Sequence, residues 1–575
     1  MKQIRYVMFL LLAIGVLILY YTNVTVERNK SPKLLLWNHH KGPPPSVEIH
    51  HLPAPDWLKS YTSTSLTIPS LREAYPSAFE YKDIWTLPTK ATTSSFKITN
   101  YRSKFSLCDT ITVEIVARDV SNKIKSTGGD YFFANIYDFG SRASSPPDDD
   151  IVDHQNGTYT VKFTLRWAGT VKVTVFLVHP SEAVNSLRRV RDYFPARQIF
   201  IGKFKSNNQT TKTFCHVTTH MYVEYFENTS SIVEFCNFTD SKTGSPWYCI
   251  KPAGFPCSSY EQHSQTEKGA IPILHLMHLR ERRLFERPVR LHSFGSNVFR
   301  VTSKGPAKST CIPHKLPSCI MGSNNKGSAP TSGYYYKESW ESFNCKLSHF
   351  AIREIKLCLQ NRVVYFLGDS TIRQWFTYLA ESFDNTKFGN RYVYNANYRM
   401  GDDVWRSKDN NITMHYHHHG FPNMIKWVNT TDMHYMANMI DKLPAHTGTI
   451  IFISIAAHFT ITNLDFYRTR LLSVKQAIKR LQTRNADVPV FIKTANTRDM
   501  DLIDESNWFL DQINGVLREE MAGMNVTLID VWDMTTCHWT MFHVHPSEEI
   551  LKNEIDTALS YLCPSTLGSS ANSDF

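Results

Sequence analysis

Val363-Val364-Tyr365-Phe366-Leu367-Gly368-Asp369-Ser370 is the stretch on which the fold of this chain turns. Five apolar residues in succession leave no polar face, so this segment is expected as a strand buried on both sides, as parallel sheets require. Gly368 lets the chain turn sharply at the strand end. Ser370 then opens a helix expected over 371–381, with its hydroxyl presented outward. Working outward from it, strand and helix signals alternate from Trp340 to the end of the chain. Strands are expected at 449–455, 488–494 and 526–531, and helices at 465–484 and 505–521. Ser547 is placed to cap a last helix with Leu551, Ile555, Leu559 and Leu562 on one face. Such alternation implies a doubly wound α/β domain.

Upstream the pattern differs. Thr110-Ile111-Thr112-Val113-Glu114-Ile115-Val116-Ala117 alternates at every second position, as do 159–165 and 171–178, with a turn at Gly128-Gly129-Asp130. Short alternating runs between turns imply a small β-sandwich. Residues 27–100, rich in Pro, Ser, Thr and His without sustained periodicity, read as a stem. Residues 203–337 hold six cysteines and little periodicity, and read as a disulfide-stapled connector.

A chain of 575 residues exceeds one core and implies several domains. Its net charge of +11 is spread out, with no basic stripe interleaved with aromatics, which argues against nucleic-acid partners. Lys2 and Arg5 precede an uncharged stretch whose strongly apolar part, Val7 to Tyr21, is short for a span of about 20 residues. Two readings fit: a cleaved signal peptide, or a signal-anchor over 1–26 with the rest lumenal. The bulky Tyr20-Tyr21-Thr22-Asn23 is a poor cleavage site and favours the anchor, giving a type II protein whose only membrane contact is this segment. Secretion is the alternative. Sequons at Asn23, Asn29, Asn156, Asn208, Asn228, Asn237, Asn411, Asn429 and Asn525 agree with export. The 11 cysteines read as disulfides in an oxidising lumen, with Cys537 left over.

The chemistry is expected at the carboxyl ends of the parallel strands. Ser370 has its own N–H and a helix N-terminus beside it, a ready oxyanion donor. The bland alternative makes Ser370 a helix cap. Arg373, one turn on, either holds an anionic group or pairs with an acid. The stretch His415-Tyr416-His417-His418-His419-Gly420 lacks acidic or cysteine partners at matching spacing, so no metal is assigned; beside the sequon at Asn411, an exposed edge or loop is expected.

Several of these residues resemble a known family. Asn156-Gly157-Thr158-Tyr159 and Val178-His179-Pro180-Ser181-Glu182 resemble the immunoglobulin-like domain of neurexophilins and of the neurexophilin-and-PC-esterase (NXPE) family. Ser245-Pro246-Trp247-Tyr248-Cys249-Ile250 with Phe255-Pro256-Cys257 resembles that family's cysteine-rich connector. Gly368-Asp369-Ser370 followed by Thr371-Ile372-Arg373-Gln374-Trp375-Phe376 resembles the nucleophile segment of PC-esterase domains, of SGNH/GDSL type, including the lumenal domain of Golgi sialate O-acetyltransferase. The resemblance implies a sandwich over 101–202, a connector over 203–337, an esterase-like α/β domain over 338–563 and a tail over 564–575.

It also implies a base. Relatives place the base histidine directly before proline, which here is His545 in His543-Val544-His545-Pro546. They place an acid three residues earlier, where this chain has Phe542. Asp530 or Asp533 could supply the carboxylate from the side, or a backbone carbonyl could orient a dyad. A second oxyanion donor is expected around Ala456-Ala457-His458-Phe459, where relatives carry Gly at the position of Ala456. His458 reads either as that donor or as structural. The activity implied is O-acetylation of glycan hydroxyls or acyl-ester hydrolysis in the Golgi lumen. Acetyl-CoA is the candidate co-substrate, and sialic acid on glycoproteins the preferred acceptor. The alternative is a secreted or surface binding glycoprotein with an inactive esterase domain, acting through a protein partner of the neurexophilin-like domain.

Overall fold

The computed structural model describes residues 62–67, 87–193, 196–219, 232–270, 273–285, 289–303, 311, 316–322, 332–386, 402–420, 427–444, 446–540 and 542–563. The expected anchor, most of the stem, Asn23, Asn29, Asn228 and the tail lie outside them. No helix among the described residues is long and apolar enough to cross a membrane.

The architecture is multi-sheet with mixed α and β content. Strand β1 (Ser95–Ile98) pairs antiparallel with β2 (Thr110–Val116), and β2 with β4 (Thr158–Thr164). In a second sheet β3 (Tyr131–Asp138) pairs with β5 (Gly169–His179). Their period-two apolar residues meet in one core: Ile111, Val113, Ile115, Val161 and Phe163 face Ile136, Val171, Val173 and Val175. The β3 strand was not foreseen, because its Tyr131-Phe132-Phe133-Ala134 start breaks the alternation.

Two sequence expectations need correction here. The stem contributes to sheets: Ser95–Ile98 is β1, and Thr62–Thr67 pairs with Ile232–Asn237. Strand pairing with distant segments, invisible in a polar Ser/Thr run, is what fixes them. The connector is likewise ordered. Gln198–Ser206, Gln209–His216 and Tyr260–Ala270 lie side by side in a seven-stranded sheet. Val298–Thr302 returns to pair with β5, so this stretch is not one contiguous linker.

Among the described residues the C-terminal sheet has six strands. Strand β6 (Val363–Gly368) lies between β8 (Ile412–His418) and β9 (Thr449–Ser454), parallel to both. Beyond β9 follow β10 (Val490–Lys493) and β11 (Thr527–Ile529), also parallel; the edge strand β7 (Asp403–Ser407) runs antiparallel to β8. Helices cover both faces. Val364 and Phe366 pack with Trp375, Phe376 and Leu379 of α1 (Ser370–Phe383) and with Leu551, Ile555 and Leu559 of α4 (Glu548–Leu562). Tyr365 and Leu367 face the other way, toward Leu471 and Val474 of α2 (Leu464–Arg484) and Leu510 and Leu517 of α3 (Asn507–Met521). Each such side chain, once buried, contributes about 1.5–3 kcal/mol.

The histidine run is the third correction. It is no exposed edge: β8 is an interior strand, and His415, His417, His418 and His419 are all buried. The imidazoles stack on aromatic and histidine neighbours, as His415 does on Tyr365 at 4.9 Å, which lets polar rings occupy an interior strand. Ser547 stands at the N-cap of α4 but makes no side-chain cap bond.

Five disulfides form: Cys108–Cys311, Cys215–Cys249, Cys236–Cys257, Cys319–Cys345 and Cys358–Cys563. Cys537 is free and buried. Such a set belongs to an oxidising compartment of the secretory pathway. The sequon asparagines Asn156, Asn208, Asn411, Asn429 and Asn525 are exposed, and Asn237 is partly buried. The upstream sheets and the α/β region share contacts. Phe133 packs on Trp532 and Phe542, and the His179 ring lies 2.6 Å from Ser506 Oγ.

Candidate active site at the carboxyl end of the parallel sheet

The turn after β6 is built around one glycine and one buried acid. Gly368 has φ +143°, and a Cβ there would lie 1.8 Å from the Ser454 carbonyl oxygen of β9, so no side chain fits. Asp369, wholly buried, then caps α1: its Oδ1 accepts from the Thr371 N–H (2.9 Å) and hydroxyl (2.7 Å). Its Oδ2 faces the end of β9, accepting from the N–H groups of Ala456 (3.4 Å) and Ala457 (3.2 Å) and from Ser454 Oγ (3.4 Å). Burial alone would raise this carboxyl. The facing His458, the Thr371 bond, His419 and Lys493 outweigh burial and hold it at about 2, so it stays ionised. With Asp369 as the cap, Ser370 is the first residue of the helix proper, and the reading of it as a mere cap falls.

His545 Nε2 lies 2.8 Å from Ser370 Oγ. The loop carrying this histidine is held on both sides. Asn496 Nδ2 donates to the Val544 carbonyl (3.0 Å), and Gln374 Nε2, from α1, donates to the Pro546 carbonyl (2.9 Å). Asn496 is itself fixed by Lys493 Nζ at 2.7 Å. Lys493 lies 3.9 Å from Glu554, which accepts from Trp375 Nε1 at 2.8 Å. His543 Nδ1 accepts from the His545 N–H at 3.0 Å. Burial, then the neighbouring His543, push the His545 imidazole down to about 4 against the opposing pull of Asp369. At neutral pH it is uncharged, with a lone pair available to the serine hydroxyl.

The remaining sequence candidates fall differently. Ala456 has φ −138°, where a Cβ is unstrained, so its replacement of glycine carries no backbone cost. Its N–H is directed at Asp369. His458 follows on a 3-10 turn, partly exposed, with Nδ1 2.9 Å from His419 Nε2. Arg373 is buried, its guanidinium carbon 5.6 Å from the centroid of the Tyr416 ring, whose hydroxyl donates to the Gly368 carbonyl.

Asp530 and Asp533 are not joined to His545, which corrects the expectation that either orients it. Arg518 takes Asp530 through two bonds (2.6 and 3.1 Å), and Ser332 donates twice to Asp533 (2.8 and 3.1 Å). Both acids line a separate cleft of about 670 Å³ with Asp130, Tyr131 and Asp511; neither Ser370 nor His545 belongs to its wall. Phe542, in the expected acid position, packs against Phe133 at 5.7 Å. Among the described residues no group of three or more His, Cys, Asp or Glu is placed to hold a metal. Asn496, Gln374, Lys493 and Glu554 were missed in the sequence. The one usable signal was Lys493, a cation closing the apolar run Val490-Phe491-Ile492.

A solved structure of FdeC, an Escherichia coli adhesin, is similar at 11% identity over 37% of this chain and 65% of that one, with a TM-score of 0.13. The match thus spans under two thirds of that protein, and at this score it carries no argument. Residues 70–271 match the neurexophilin family model, and residues 340–563 match that of the NXPE family member 4-like C-terminal domain. The second match contains Ser370, His545 and the network between them. With a neurexophilin domain followed by this C-terminal domain, the chain belongs to the NXPE family.

Proposed function

We propose that this chain is a secretory-pathway O-acyltransferase or acyl esterase with Ser370 as nucleophile and His545 as general base, in an SGNH-like arrangement behind an immunoglobulin-like sandwich. The observation that carries the reading is the 2.8 Å approach of His545 Nε2 to Ser370 Oγ at the carboxyl end of a parallel sheet. Ser370 Oγ attacks the acyl carbonyl as His545 takes its proton. The ionised Asp369, already felt by His545, stabilises the imidazolium that forms. The Ser370 N–H, at the N-terminus of α1, faces the developing oxyanion. Collapse expels the donor's thiol or alcohol with the proton returned by His545. The acyl group then passes to a glycan hydroxyl or to water.

Acetyl-CoA as donor, sialic acid as acceptor and a Golgi type II topology with the anchor at 1–26 complete the proposal. A single short span offers no path for the donor, so a separate transporter would supply it. The test is expression of the parent, Ser370→Ala and His545→Ala in cells lacking sialate O-acetylation. The reading expects acetylated glycans from the parent alone. Glycan mass spectra showing no Ser370-dependent acyl change would end it. A second reading draws on the commitment of Asp530 and Asp533 to Arg518 and Ser332. The domain would then be catalytically idle, and the neurexophilin-like part would bind a protein partner.

A further inference from the structure

The expectation that His458 donates to an oxyanion conflicts with its hydrogen bonds. The Gly420 carbonyl can only accept a hydrogen bond. His419 Nδ1 lies 2.9 Å from it and therefore carries the proton. Burial, followed by the repelling His458, pushes the His419 imidazole down to about 3, so it is neutral and its Nε2 is bare. That Nε2 lies 2.9 Å from His458 Nδ1, which must then be the donor. Desolvation by the surrounding site pushes His458 down as well, although part of its ring stays exposed and Asp369 opposes the shift. With its only proton on Nδ1, His458 has an unprotonated Nε2, for which no partner exists among the described residues.

This nitrogen belongs to the same end of the sheet as the nucleophile. Gly368 pairs with Ser454 in register, and the Ala456 and Ala457 N–H groups are fastened to Asp369. Ser370 follows that clasp by one residue on one strand, and His458 follows it by one residue on the other. His545, Arg498 and His418 are the other charged or titratable groups His458 feels. Unlike the buried His419, His458 is partly exposed.

We propose that His458 is the hydroxyl-recognition residue of this site: its Nε2 accepts a hydrogen bond from an alcohol of the acyl acceptor, and it does not donate to the oxyanion. The ligand class is a polyhydroxyl compound with at least one O–H beside the attacking one. His419 is a positioning residue, acting only by fixing the tautomer of His458. The inference deepens the acyltransfer reading and rests on Ser370 being the acyl-bearing residue.

The tautomer and the binding can be read without turnover. In the full chain labelled with 15N-histidine, His458 Nε2 is expected to resonate as an unprotonated nitrogen. Titrating N-acetylneuraminic acid into Ser370→Ala should shift that signal, while the same sugar with its glycerol side chain shortened by periodate should shift it less. His419→Gln, whose amide oxygen can still accept from Nδ1, should keep the unprotonated signal; His419→Leu should lose it. His458→Phe should weaken sugar binding about ten-fold, the value of one neutral hydrogen bond. A protonated Nε2 in the parent overturns the proposal whatever the enzyme does. An unprotonated Nε2 that no hydroxyl probe perturbs also overturns it. Absence of acyl transfer with the shift intact would instead sink the catalytic reading alone.

Discussion

Asp369→Asn tests how the turn before Ser370 is held. The amide can keep its oxygen toward Thr371, but its NH₂ then faces the Ala456 and Ala457 N–H groups that the carboxylate now satisfies. Two buried donors lose their acceptor, at about 1–3 kcal/mol each, or about 2–6 kcal/mol in all. The titration of the acid gives only a direction, because His458 and His419, two of the groups that depress it, are uncharged at neutral pH. A depressed carboxyl contributes stability that is present above 3.8 and lost as pH falls through about 2. The lost acceptors give at least about 2 kcal/mol, a thirty-fold or larger rise in local opening. Hydrogen exchange followed by mass spectrometry on peptides spanning 452–459 and 366–372 reads this directly. Exchange in both segments unchanged within about two-fold would refute the clasp.

Asn496→Leu and Gln374→Leu each free one side of the loop that carries His545, and each should slow ester turnover by about 10- to 100-fold with the serine intact, measured as kcat on a small acetyl ester. The pH profile should show its acid limb near 4, not near 6.5, because the neutral imidazole is the base and rate falls as pH drops through its depressed value. His543→Ala removes the second-largest cause of that depression and should move the limb upward. Gly368→Ala drives a Cβ into the Ser454 carbonyl at a backbone angle reserved for glycine, and should abolish secretion of folded protein, read by immunoblot of the medium or lumenal fraction.

Much of the α/β region was legible because its signals are local. The run 363–367 has no polar face, and the strands and helices after it follow their own periods to within a few residues. Ser370 and His545, singled out by their positions after the first strand and before the last helix, lie side by side in the fold. What escaped were features made by distant pairing. Ser95–Ile98 becomes a strand because Thr110–Val116 and His292–Ser293 lie on either side of it. The histidine strand looked polar enough for an edge, and stacking on Tyr365 and on its own rings, together with polar partners in Asp402, Tyr416, Gly420 and His458, explains its place inside the sheet. The support of His545 was hidden for the same reason. Asn496 and Gln374 are ordinary polar residues in the sequence, and their roles exist only through carbonyls 48 and 172 residues away. Asp530 and Asp533 stood near enough in sequence to serve His545, but Arg518 and Ser332 hold them elsewhere.

Covalent capture decides whether Ser370 is a nucleophile activated by His545. Purified full-length protein is treated with an alkyl fluorophosphonate, and its peptides are mapped by mass spectrometry. One adduct is expected, on Ser370, forming at least about a hundred-fold more slowly in His545→Ala. No adduct on Ser370, or equal labelling in His545→Ala, would contradict it.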